Sequence, residues 1–217
     1  MSLSEKVATL VAATYEAALE PGRWPELLRL IIEQSGLPVA RLSLGRSGQR
    51  MEPLAWVGTE EPFMRAYEDR FAELDPVMRA VRAAATGTVI TQAATSGSSL
   101  ERSDFFQQWV RPQDLYKASM TKFIDEAGAV GVLVCATGLK AERKSGSNEA
   151  QLLYQLAPHL QRAARVHLRL SQLGGEFDAT LAALDLLRPP IVVVDVSAGI
   201  KFANRAAEAL LARDWRT

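Results

Sequence analysis

Asp75 is followed by Pro76 and Val77, and two aromatic residues, Tyr67 and Phe71, precede it at helical spacing. An aspartate in that setting has two uses. Its carboxylate can cap a helix, with Pro76 in the first turn where a missing N–H costs nothing. Alternatively, it accepts a hydrogen bond from a small molecule. Trp56, Tyr67, Phe71, Trp109 and Tyr116, joined by Phe105, Phe106 and Phe123, supply aromatic surface for an apolar pocket with a few polar handles or for a packed core. Tyr67, Trp109 and Tyr116 carry polar atoms that need partners, which suits them to a pocket wall. The candidate ligand-binding set is therefore Trp56, Tyr67, Phe71, Asp75, Trp109 and Tyr116.

Other reactive residues lead nowhere specific. Cys135 lies in the apolar run Val132-Leu133-Val134-Cys135-Ala136, where a neutral buried thiol is inert. As a lone cysteine it cannot form an internal disulfide, which fits a reducing compartment. His159 and His167 are eight positions apart, wider than zinc pairs on a helix. There is no P-loop, dinucleotide glycine pattern, metal-ligand cluster or Gly-x-Ser-x-Gly elbow, so no catalytic residue, metal or cofactor is assigned and the chain is not expected to be an enzyme. Lys and Arg number 25 against 25 Asp and Glu, which lacks the basic excess of a free-standing DNA-binding domain. No apolar run is long enough to cross a bilayer, and no secretory signal opens the chain, so a cytoplasmic protein is expected.

The elements that must position these residues follow from the hydrophobic patterning. Helices are expected from Ser4, a possible cap, to Leu19 and from Trp24-Pro25 to Ser35. Val39 to Leu44 and Met51 to Val57 read as a hairpin around Arg46-Ser47-Gly48. Pro62 to Leu74 and Val77 to Ala85 read as helices, Thr86 to Thr91 as a strand, Gln92 to Ser99 as a loop and Leu100 to Val110 as a helix. Leu115 to Ile124 and Ala129 to Ala136 read as strands, the second nearly all apolar and therefore central. Leu139 to Ser147 is a polar turn. This order predicts an α+β domain with a mainly antiparallel sheet over residues 1–147. Residues 148–188 then form a closing helix whose stripe of Leu153, Leu156, Leu160, Ala163, Leu170, Phe177, Leu181 and Leu184 follows a three-then-four spacing. Such a stripe packs on its own domain, on a second copy as a homodimer, or on both. Gly174-Gly175 costs about 2 kcal/mol of helix propensity, so a kink or break is expected there. Residues 189–217 change character: a buried-type strand from Ile191, a turn at Ser197-Ala198-Gly199, a second strand to Ala203, and a helix capped by Asn204.

That tail, with Ile191-Val192-Val193-Val194-Asp195, Gly199-Ile200 and Phe202-Ala203-Asn204-Arg205-Ala206-Ala207-Glu208, resembles the beginning of a PAS domain. The region before it resembles the N-terminal, GAF-like sensory part of LuxR-type helix-turn-helix transcriptional regulators. The resemblance rests on Tyr15 to Pro21 followed by Trp24-Pro25, on Leu74-Asp75-Pro76-Val77, on Arg102 to Phe106 with Trp109 and Arg111-Pro112, and on Leu156-Ala157-Pro158-His159-Leu160. In acyl-homoserine-lactone receptors of that family the matching aspartate accepts a hydrogen bond from the ligand amide. Where those receptors also carry a tryptophan, this chain has Pro62, Phe63 and Met64. The resemblance implies a bacterial regulator that senses a small effector and relays it through a dimeric helix to a DNA-binding domain. No helix-turn-helix pattern is visible in these residues, so that domain is expected beyond Thr217. Alternative outputs are a sensor kinase, a cyclic-dinucleotide enzyme, or none, in a ligand-free dimerisation module.

Overall fold

The structure is a computed structural model. It describes residues 2–46, 51–91, 100–126, 128–138 and 148–214, with the backbone alone at Val77, Thr91, Tyr116, Lys117, Asn148, Glu149, Arg213 and Asp214. The hairpin turn after Arg46, the loop from Gln92 to Ser99 and the turn from Leu139 to Ser147 lie outside the described residues. Two compact units are present, residues 1–167 and 168–217.

In the first unit, Leu3–Leu19 (α1) begins at Ser2, whose hydroxyl accepts from the Glu5 N–H while the Glu5 carboxylate accepts from the Ser2 N–H. This reciprocal box corrects the expected cap at Ser4, which lies inside the helix: only Ser2 has a glutamate three residues on. Trp24–Ser35 (α2) carries Pro25 in its first turn and ends at Gly36 in the left-handed conformation. Five antiparallel strands follow: Val39–Arg46 (β1), Glu52–Val57 (β2), Val89–Thr91 (β3), Leu115–Glu126 (β4) and Ala129–Gly138 (β5), in the order β2-β1-β5-β4-β3. The α+β expectation holds, and the apolar β5 is the central strand.

Registers decide which side chains share a face. Val39, Ala136 and Ala118 form one row across β1, β5 and β4, and Arg41, Val134 and Met120 form the next. Residues of the opposite parity, Ala40, Leu42, Leu133 and Cys135, are buried on the other face. Helices α1 and α2 pack together, with α2 against β1 and β2.

Glu61–Ala66 (α3) widens at its end into a π turn over Tyr67–Phe71, and Pro76–Ala83 (α4) follows Asp75. A second π turn, Phe106–Val110, occupies much of the predicted helix from Leu100 to Val110.

Asn148–Asp185 (α5) is one continuous helix. Within the first unit its Leu153, Leu156, Leu160 and Ala163 are fully buried. Tyr15 contacts His159 through a 3.3 Å hydrogen bond, Trp24 meets the His167 ring edge-on, and Arg165 pairs with Glu126. The expected break at Gly174-Gly175 is absent: the helix runs through both, because about 2 kcal/mol is a small penalty for a 38-residue helix to absorb. Nothing lies within 4 Å of where a Cβ would sit on either glycine. Gly174→Ala/Gly175→Ala is therefore expected to stabilise this stretch by up to about 2 kcal/mol, seen as slower amide exchange around residues 170–180. Unchanged exchange there would show that the helix does not limit opening.

The second unit holds the rest of α5, a hairpin of Val192–Val194 (β6) and Ile200–Ala203 (β7), and Arg205–Asp214 (α6). Asn204, fully buried, is its hub. Its Oδ1 accepts from the Ala207 and Ile191 N–H groups at 3.0 and 2.9 Å, and its Nδ2 donates to the carbonyls of Leu184, Leu187 and Pro189. The cap expected from sequence is thus also the link that ties the hairpin to the end of α5. The N–H groups of Ser197 and Gly199 and the Ser197 hydroxyl donate to Asp195 Oδ1 while Lys201 pairs with Oδ2, holding its carboxyl down at about 2. Val192, Val193, Val194 and Ile200 remain exposed within this unit.

Candidate functional site

One cleft in the first unit encloses about 590 Å³ of space, part of it open to solvent. Its floor is the two sheet rows through Val39 and Arg41. Its opposite wall is built from Met64 on α3 and from Tyr67, Phe105, Trp109 and Val110 on or beside the two π turns. A π turn widens the helix by one residue and is often found where a side chain must be re-aimed. Here the two wide turns bring Tyr67 and Trp109 together, with ring centres 4.9 Å apart and planes tilted by 48°, and Phe105 stacks on Trp109 at 5.3 Å and 17°. The Trp109 indole N–H donates to the Phe63 carbonyl at 2.7 Å, which fastens one arm of the wall to the other.

Three polar side chains form a chain along the cleft. Arg41 Nη2 donates to the Tyr67 hydroxyl at 3.1 Å, and that hydroxyl donates to Asp75 Oδ2 at 3.0 Å. Asp75 Oδ1 accepts from the Met78 N–H at 3.2 Å, so Asp75 caps α4 while also facing the cleft. The cap reading of Asp75-Pro76 is satisfied, and so is its approach to the pocket. The Arg41 guanidinium carbon lies 4.0 Å from the centre of the Tyr67 ring.

Of the sequence candidates, Tyr67, Asp75 and Trp109 line the cleft together. Phe71 is buried behind the wall, packed with Tyr67, Leu100 and Phe105. Trp56 stands opposite Arg41 in the β1–β2 register, half-buried and outside the cleft lining. The Tyr116 backbone belongs to β4, while its side chain lies outside the described ones. Arg41 was not among the candidates. Its signal in the sequence is its parity: it alternates with Ala40 and Leu42, and so shares the face of Val39.

Burial holds the Tyr67 hydroxyl neutral, pushing its pKa up to about 12; Arg41 opposes this and Asp75 reinforces it. An acid whose folded pKa exceeds its unfolded one lends stability that is complete below the unfolded value, near 10, and is lost as pH rises through the folded value. The first unit should therefore lose about 3 kcal/mol between roughly pH 10 and pH 12 from this group. Tyr67→Phe should lack that component in an alkaline unfolding series, and an identical alkaline slope in both proteins would exclude it.

No protein-family model matches this chain, and no curated protein sequence does. Solved structures do match. The ligand-binding domain of VqsR from Pseudomonas aeruginosa superposes with a TM-score of 0.59 at 14% identity, over 76% of this chain and 96% of that one. CepR2 from Burkholderia cenocepacia, described as an N-acylhomoserine-lactone-dependent LuxR family transcription factor, gives 0.51 at 13% identity, over 73% and 98%. SdiA in complex with octanoyl-rac-glycerol gives 0.55 at 17% identity, over 77% and 66%. At these identities the likeness is one of fold: the first unit has the fold of LuxR-type ligand-binding domains. No helix among the described residues is long and apolar enough to cross a membrane.

Proposed function

We propose that the first unit is the sensory input domain of a LuxR-type regulator and that it holds a small amphipathic effector between the sheet and the aromatic wall. The observation that carries this reading is the cleft itself. It is largely apolar, it is lined by stacked aromatic rings, and Arg41, Tyr67 and Asp75 converge on it as a short polar strip, the composition expected of a small-molecule site. The fold shared with VqsR, CepR2 and SdiA supports it.

The output belongs to α5. Beyond the part that packs in the first unit, Leu170, Leu173 and Phe177 are 43, 45 and 61% exposed and continue the heptad-like spacing, which suits pairing with a second copy. In this reading the effector favours one arrangement of the paired helices, and the pair sets the geometry of a DNA-binding domain. Without that differential affinity no signal passes. Residues 148–188 then serve as the signalling helix and 189–217 as the start of a PAS-like domain.

Thermal unfolding in the presence of octanoyl-rac-glycerol and a panel of amphipathic acids, amides and lactones tests the input. A true ligand adds about 2.7 kcal/mol of stability at a hundredfold excess over its Kd. Replacing Trp109 by alanine should remove the effect. A panel that leaves the transition unmoved would favour a dimerisation module whose cleft is only an imperfection of the core.

A further inference from the structure

Arg41 is the one cation among the described residues that line the cleft, and its own surroundings leave it undersupplied with acceptors. It is only 7% exposed. A guanidinium carries five N–H donors and does not lose its proton in a protein. Nη2 donates to a neutral phenol, Nε is buried with no partner, and among the described residues no carboxylate lies within ion-pair distance of the group. Asp75 stands on the far side of the Tyr67 hydroxyl, engaged by that hydroxyl and by the Met78 N–H. On the other side of Arg41 a second, smaller hollow is lined by Glu68, Ser43 and Arg82. Buried cations are ordinarily paired, and a planar guanidinium matches a planar oxyanion with two parallel N–H donors.

We propose that the effector is an amphipathic carboxylate, seated with its carboxylate on Arg41 and its apolar body between the sheet floor and the Phe105–Trp109 stack. This rests on the effector reading above and narrows it to a chemical class. The floor residues Val39, Val134 and Ala136 and the flat aromatic wall accept either an alkyl chain or an aryl ring system. The shared chemistry is the anionic head on an apolar body, and the experiment separates the two kinds of body.

The wild-type protein is titrated with decanoate and with 2-naphthoate, each beside its own methyl ester, near neutral pH. Tryptophan fluorescence and thermal unfolding report binding. At least one acid should bind about tenfold or more tighter than its ester, the discrimination expected of a charge-assisted pair. Preference for decanoate assigns an alkyl body, and preference for 2-naphthoate an aryl one. In Arg41→Met the acid should lose its advantage while the ester still binds. Arg41→Lys, which keeps the charge but not the fork, should retain part of the advantage. An ester that binds wild type as well as its acid overturns the carboxylate and leaves the cleft as a site for neutral effectors. If no acid and no ester of either body binds, the carboxylate proposal falls and the effector reading loses its support with it. Should Arg41→Met fail to fold, the wild-type comparison of acid with ester decides alone.

Discussion

Gly58→Ala is expected to destabilise the first unit by about 2–5 kcal/mol, a large share of the roughly 5–15 kcal/mol typical of a domain. Two costs combine. Gly58 has φ +87°, in the region where an L side chain is strained, and its added Cβ would sit 1.9 Å from the Pro38 carbonyl oxygen and 3.1 Å from the Val39 Cα. Those are backbone atoms, so no rotamer change relieves the overlap; the start of β1 or the end of β2 must move. Movement there disturbs the pairing of Ala40 with Val57 and of Arg41 with Trp56. Val39, Arg41 and Thr59, which follows Gly58, all line the cleft. The substitution should therefore lower the denaturant midpoint and weaken any effector in the same protein. An unfolding free energy within about 0.5 kcal/mol of wild type would show that the hairpin end tolerates a side chain, contrary to the close approach.

The scaffold was legible in the sequence where one physical rule dominated. An apolar run with no polar alternation, Val130 to Ala136, is buried on both faces and therefore central. Asn204, placed between a short strand and an alanine-rich helix, caps that helix. Elsewhere two rules competed. Ser2 and Ser4 are equally good cap residues, and only the position of Glu5 chooses between them. The two π turns left no trace, because one extra residue per turn carries no side-chain signature. Their consequence falls on the site: helical spacing places Tyr67 and Phe71 on one face, yet the wide turn leaves Tyr67 on the cleft wall and Phe71 behind it. Arg41 was hidden for a different reason. A charge in a strand reads as the solvent side, and parity alone does not say which face the aromatic wall will cover. The glycine pair in α5 shows the converse, a strong local signal outweighed by the length of the helix around it.

Asp75 combines a structural and a chemical role, and substitutions at this position separate them. Asp75→Ala removes the cap on the Met78 N–H and the acceptor of the buried Tyr67 hydroxyl, so a loss of about 2–4 kcal/mol is expected from the two together. Asp75→Asn keeps an oxygen for the Met78 N–H but sets an amide against the phenol proton, and should cost roughly half as much. It also removes the negative charge that helps to raise the Tyr67 pKa, so that pKa should fall from about 12, as ultraviolet titration of the tyrosinate reads directly. The binding consequence has a sign that distinguishes ligand chemistries. A carboxylate seated on Arg41 is repelled by the Asp75 carboxylate through the low-dielectric cleft, so Asp75→Asn should tighten decanoate or 2-naphthoate severalfold. An effector that instead gives an N–H to Asp75, as the resemblance to lactone receptors implies, should weaken in the same variant, because a charge-assisted hydrogen bond becomes a neutral one. Tightening of the carboxylates with loss of an amide ligand would place both groups in one cleft, the anion at the Arg41 end and the donor at the Asp75 end. Weakening of the carboxylates would mean that the anion does not sit where Arg41 holds it.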